Sequence, residues 1–317
     1  MGIIGSIYKK SCLISPWVEV ALRQLYWKNR SMFKTAAKEF HTAEITNKNS
    51  VDFQKVLDWL KANGVGEGSL LVVHSSYGVL ESTGLEPNEI VEKLLGLVGK
   101  TGTLAMPAIR KFKGFPSTSE RTGNEVIDVI CKYDVRRTKV VSGALPYYMV
   151  LRKDSEVSRF PLNPMVAIGP LAKDMMAHNL EGEKPSPHGP NSAWKFCYDH
   201  NAIVVGLGAS LEHYNTIVHV AEEAFGDWRW SDDEWYCDRT FDIIDGDFQR
   251  RIQVKERKPY IGKLHIAEIN LYHDLIKNGI VKEGLIEESI PVYKENAKEF
   301  IDYLRSKNKK GYPYFGL

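Results

Sequence analysis

A histidine and a carboxylate stand three residues apart in Thr216-Ile-Val-His219-Val-Ala-Glu222-Glu223. On a helix, a three-residue step sets two side chains on one face. An imidazole titrates near neutrality, and a neighbouring carboxylate can fix its tautomer, so this pair suits a general base. Thr216 shares that face and can cap the helix start. Glu223 is expected to point elsewhere on the helix. The same spacing also arises between ordinary neighbours, so its meaning depends on the segments around it.

Six other stretches carry chemistry-bearing side chains. His74-Ser75-Ser76-Tyr77-Gly78 ends an apolar run and offers two adjacent hydroxyls. In open α/β sheets ligands bind at the carboxyl ends of strands, where such hydroxyls would serve as donors. A second run, Gly99 to Gly114, leads into the cations Arg110, Lys111 and Lys113, suited to the phosphates of a cofactor. Loops rich in proline and glycine follow at 134–146, 158–172 and 184–192, the last holding Ser186, Pro187 and His188; fixed loops of this kind shape pockets. Asp227, Asp232, Asp233 and Glu234 surround Trp228, Trp230 and Trp235, a set that can hold an amino sugar with a ring stacked on its apolar face. No phosphate-binding P-loop pattern is present, and no G-x-G-x-x-G follows a strand, which excludes the signatures of nucleoside triphosphatases and dinucleotide enzymes.

The elements that must position these groups alternate. Val51–Ala62 has helical spacing (Phe53, Val56, Leu57, Leu60), and Ser69–His74 is a continuous apolar run typical of a buried strand. Asn88–Val98 predicts a helix, Thr101–Pro107 a strand, Asn124–Tyr133 a helix and Ala202–Val205 a strand. Thr240–Val254 predicts a β-hairpin turning at Asp245-Gly246. Ile266–Ile276 and Tyr293–Leu304 predict helices. The alternation implies an α/β fold with helices on both faces of a sheet. Residues 1–45 form an N-terminal amphipathic extension, with Pro16–Trp27 aromatic and helical and a basic stretch beyond it, and residues 46–317 form the main domain. The extension packs on that domain or on a second subunit as a homodimer, or its residues 16–40 touch an anionic membrane surface.

Composition bounds the class. The 317 residues are 43% hydrophobic and 26% charged, with a formal charge of +2 that gives no reason to expect nucleic acid as a partner. Four scattered cysteines without a C-x-x-C point to reduced thiols and a cytoplasmic protein, not to a zinc site. No run of eighteen apolar residues exists, so no transmembrane segment is expected.

Taken collinearly, His-Ser-Ser at 74–76, Gly-x-x-Gly-Thr-Leu-x-Met-Pro at 99–107, Thr138-x-x-x-x-Gly143-x-Leu, Ser158-x-x-Pro161, Ala167-x-Gly169-x-x-Ala172, Gly206-x-Gly208 and Thr216-x-x-His219-x-x-Glu222 resemble the aminoglycoside 3-N-acetyltransferase family. The likeness spans roughly residues 51–230. It implies a three-layer α/β/α sandwich with a mixed central sheet, an acetyl-coenzyme A-dependent N-acetyltransferase activity, and no metal. It also implies His219 as the base acting on an amine, with Glu222 beside it, and Ser75, Ser76 and Thr138 on the cofactor side. Arg110 and Lys111 join the cofactor candidates by charge; Thr216, Asp227, Trp228 and Asp232 are the acceptor candidates. An amine at neutral pH is mostly protonated, so a base is needed for its attack on a thioester, and direct transfer requires no nucleophilic serine or cysteine.

The acceptor is open between two charge types. A polycationic aminoglycoside wants an acidic cleft, whereas a nucleotide-linked or polysaccharide-precursor amino sugar would use Arg110, Lys111, Arg136 and Arg137. Val157-Ser-Arg-Phe160-Pro161 departs from the Arg-Ser-x-His-Pro of the family pattern, which favours the nucleotide-linked or precursor sugar over a resistance substrate. Two further readings remain: a metal-dependent hydrolase built on His213, His219 and Glu222, and a non-catalytic member of the family.

Overall fold

Leu70–Val73, the apolar part of β1 (Leu70–Ser75), is buried on both faces of the strand. A computed structural model describes residues 3–28, 51–114, 129–209, 216–228, 232–258 and 266–308. The other strands are β2 (Thr103–Pro107), β3 (Cys131–Asp134), β4 (Glu156–Val157), β5 (Met165–Ile168), β6 (Ile203–Leu207), β7 (Tyr236–Asp245), β8 (Phe248–Arg257), β9 (Val281–Ile286) and β10 (Ile290–Asn296). Seven of them form one sheet in the order β4-β5-β2-β1-β6-β10-β9. β1 runs parallel to β2 and β6, while β5 and β10 run antiparallel to their neighbours, so the sheet is mixed as expected.

Alternate residues of β1 feed two cores. Leu71 and Val73 pack with Phe53, Val56, Leu60, Ile90 and Leu94 from helices Phe53–Ala62 and Pro87–Val98. Leu70 and Val72 pack on the other face with Trp194, Ile217, Val220, Leu271 and Phe300. Those residues come from Ala193–Asp199, Thr216–Glu223, Glu268–Lys277 and Ala297–Asn308, which make the third layer. Asp52 caps Phe53–Ala62 through the Gln54 N–H, and Glu86 and Glu89 form a reciprocal box at the start of Pro87–Val98.

Three expected elements differ. Residues 124–128 lie outside the described set, and Cys131–Asp134 is a strand whose Cys131 and Tyr133 are buried while Lys132 is exposed, the period of a strand rather than a helix. Tyr293 belongs to β10, held between β6 and β9, and the helix begins only at Ala297. The hairpin pairs Asp245 with Phe248, so its turn is Gly246-Asp247, with positive φ at Gly246 alone. β3 adds to β7 in parallel and makes the hairpin part of a three-stranded sheet.

The N-terminal helices Ile3–Cys12 and Pro16–Lys28 lie against Glu268–Lys277. Fully buried Glu19 accepts hydrogen bonds from the N–H groups of Ile269 (2.8 Å) and Asn270 (2.9 Å) and from the Asn270 amide (2.7 Å), capping that helix from outside. Ile14, Trp17 and Leu25 face outward. The contact expected through residues 16–40 falls partly outside the described residues. No helix among the described residues is long and apolar enough to cross a membrane.

Candidate active site

β1 and β6 end side by side, with Ser75 paired to Leu207, and the chain leaves β6 through Gly208 at positive φ. A Cβ there would lie 3.0 Å from the Ser76 carbonyl oxygen and 2.9 Å from Val79, so only glycine lets the two strand ends approach this closely. Thr216–His219 forms a 3₁₀ turn and Val220–Glu223 a single helical turn. Buried Ile217, Val218 and Val220 anchor both turns in the core on one face of the sheet and leave His219 partly exposed.

His219 Nδ1 lies 3.2 and 3.3 Å from the two oxygens of Glu222. Its Nε2 lies 3.3 Å from Nη1 of Arg257, the last residue of β8. A guanidinium only donates, so Nε2 is the accepting nitrogen and Nδ1 carries the proton toward Glu222. Both neighbours therefore specify one neutral tautomer. Burial, then Arg257, then His188 push the imidazolium well below its ordinary range near 6.5. Glu222 does not reverse this, because its Oε2 accepts a hydrogen bond from Arg257 Nη2.

Glu223 joins the cluster, contrary to the expectation that it points elsewhere. Its Oε2 accepts from the His188 N–H (2.9 Å), and its Oε1 lies 3.5 Å from His188 Nδ1 and 3.6 Å from Arg257 Nη2. A single turn leaves consecutive carboxylates about 100° apart, and the 184–192 loop closes on the second. The His188 ring stands edge-on to His219 at 5.1 Å and beside Trp194 at 5.8 Å; Trp194 stacks on His74 at 6.1 Å. Burial holds His188 below its ordinary value and His74 at about 3. Side-chain exposure is 24% for His219 and 13% for Arg257, but 0%, 3% and 1% for Glu222, Glu223 and His188. Solvent therefore meets this cluster mainly at the imidazole and the guanidinium.

The other expected site residues divide. Ser75 and Ser76 stand at the carboxyl end of β1, and neither hydroxyl has a protein partner among the described residues; Ser76 donates its backbone N–H to Leu207. Neither serine is hydrogen-bonded to His219. Arg110 is buried, and its guanidinium donates to the carbonyls of Thr138 (2.8 Å) and Val135 (2.9 Å), turned away from any phosphate. Thr138 accepts the Asp134 N–H (2.9 Å) and closes a tight turn, while Lys111 is exposed. Thr216 begins the 3₁₀ turn, half-buried. Asp227 pairs with Arg305 at 3.0 Å, and Trp228 meets Trp235 edge-on at 5.2 Å. Asp232 opens the one-turn helix Asp232–Trp235. His213 lies outside the described residues, and no set of three or more metal-ligating side chains is gathered among the described ones.

Fold and site together define an α/β enzyme whose mixed sheet is accompanied by an acidic, histidine-bearing cluster. The family model for aminoglycoside 3-N-acetyltransferases matches residues 72–304. The chain belongs to that family and is an N-acetyltransferase. Among solved structures it is similar to aminoglycoside acetyltransferase AAC(3)-IIb, with 19% identity, TM-score 0.66, and 84% of this chain and 99% of that one covered. It is also similar to AAC-IIIb in a binary complex with CoASH (18%, 0.60, 82% and 97%). A third is a mutant of AAC(3)-IVa in complex with a gentamicin (18%, 0.63, 84% and 91%). At these identities the structural likeness speaks for the fold. No curated protein matches the chain.

Proposed function

We propose that this enzyme transfers acetyl from acetyl-coenzyme A directly to an amine of an aminoglycoside-type amino sugar, with His219 as the general base. The amine nitrogen attacks the thioester carbonyl, forming the N–C bond as the C–S bond breaks. The amine proton passes to Nε2 of His219, and the imidazolium returns it to the departing sulfur, so coenzyme A leaves as its thiol. Ser75 and Ser76 supply donors at the sheet edge for the developing oxyanion. The observation that carries this reading is the single neutral tautomer of His219, set by Glu222 on one nitrogen and leaving a lone pair on the other, at the most exposed point of the cluster.

The acceptor's charge follows from the same cluster. Two carboxylates, Glu222 and Glu223, lie against one guanidinium, so the cluster is acidic and suits a cationic acceptor. The nucleotide-linked sugar favoured by the sequence loses its main support, because the guanidiniums of two of its four cations are taken up by oxygens of the protein. Arg110 binds carbonyls as described, and Arg136 donates to Val150 O (2.9 Å), Ser155 Oγ (2.9 Å) and Ser155 O (2.6 Å). Lys111 and Arg137 are exposed and suit the phosphates of the acyl donor.

A thiol-release assay with acetyl-coenzyme A against aminoglycosides and nucleotide-linked amino sugars tests this reading. Turnover with at least one aminoglycoside, and none with the nucleotide-linked set, is expected. The reverse pattern refutes the acceptor class.

A further inference from the structure

We propose that Arg257 occupies the seat of the acceptor's ammonium group, a cationic plug carried on the β-hairpin that the acceptor must displace. This rests on the reading of His219 as the base. The guanidinium makes the contacts a bound ammonium would need. It hydrogen-bonds to Glu222 Oε2, lies 3.6 Å from Glu223 Oε1, and sets Nη1 3.3 Å from Nε2 of His219. A base that takes a proton at Nε2 cannot do so while another donor holds that lone pair. Guanidinium and ammonium are both cationic N–H donors for carboxylates, so one can replace the other on the same oxygens.

Access points the same way. With Glu222, Glu223 and His188 sealed, the carboxylates are reached past the imidazole and the guanidinium, the two partly exposed members of the cluster. Trp235, fully buried, has its ring centre 6.0 Å from the guanidinium carbon. A seat filled by its own side chain nine-tenths of the time lowers apparent acceptor affinity about tenfold.

The test compares wild type with Arg257→Ala and Arg257→Gln, the second nearly isosteric and uncharged should the first fail to fold; thermal melting and coenzyme A titration confirm that each variant is intact. Acceptor KM is expected to fall about tenfold in the variants. Millimolar guanidinium ion is expected to compete with the acceptor in Arg257→Ala and to leave wild type unaffected. Restoration of lost activity by guanidinium would show that Arg257 works in turnover and overturn the proposal; an unchanged or raised KM in a folded variant would also overturn it. Full activity in His219→Gln refutes the base instead, and leaves the competition by guanidinium to stand or fall separately.

Discussion

The Nδ1 atom of His219 lies 3.2 Å from Oε2 and 3.3 Å from Oε1 of Glu222, a carboxylate without measurable side-chain exposure. The pairing is local, three residues along one turn, yet Oε2 is also claimed by Arg257 from the hairpin. Glu222 is thus an orienting group for the ring and an anchor for a distant strand.

Glu222→Gln keeps the shape of that side chain and removes its charge. The amide can donate toward Nδ1 and favour the wrong tautomer. The expected result is a fall in kcat of about 10²–10³-fold with the coenzyme A dissociation constant unchanged. Steady-state kinetics together with calorimetric titration of coenzyme A check it.

The buried histidines make the enzyme acid-sensitive. His74 is neutral in the fold down to about pH 3, and His188 and His219 are also depressed. Below about pH 6.5 the unfolded chain binds protons that the folded chain refuses, so stability is present above that pH and declines as pH falls. At pH 5 His74 alone costs about 2 kcal/mol. Urea unfolding from pH 7 to 5 is expected to show this loss, and His74→Leu to flatten it.

Glu19→Ala removes the carboxylate that caps Glu268–Lys277 and leaves the N–H groups of Ile269 and Asn270 without that acceptor. A loss of about 2–3 kcal/mol is expected, with faster proteolysis within residues 1–28 and unchanged kcat. Denaturant midpoints and limited proteolysis report it.

Gly206 sits in β6 under the Tyr293 ring, where a Cβ would come within 1.9 Å of a ring carbon. Gly206→Ala therefore forces apart β6 and β10. A destabilisation of about 1–3 kcal/mol or more is expected, partly recovered in the double variant with Tyr293→Leu. Melting temperatures of the four proteins of that cycle give the answer.

The sheet was legible where the chain spells it locally. Leu70–Val73 and Ile203–Leu207 are unbroken apolar runs, and Phe53–Ala62 keeps helical period. Tyr293 was misread because the apolar spacing around it fits a helix, and only pairing with β6 and β9 makes it a strand. In the site, His219 and Glu222 were readable from a three-residue step. His188 stood in a loop noted as pocket-shaping, but nothing in its local pattern marked it out. Arg257 lies 35 residues beyond Glu222 at the end of a strand, and its place depends on how the hairpin docks, which periodicity does not encode. Arg110 and Arg136 had the charge expected of phosphate binders, and only the fold shows them turned onto carbonyls.

The rate of thiol release from acetyl-coenzyme A by His219→Gln, at saturating aminoglycoside acceptor, tests the account at its centre. A fall of at least 10²-fold is predicted, with coenzyme A binding and melting temperature close to wild type. Turnover within about threefold of wild type would contradict the assignment of the proton to Nε2 of this imidazole.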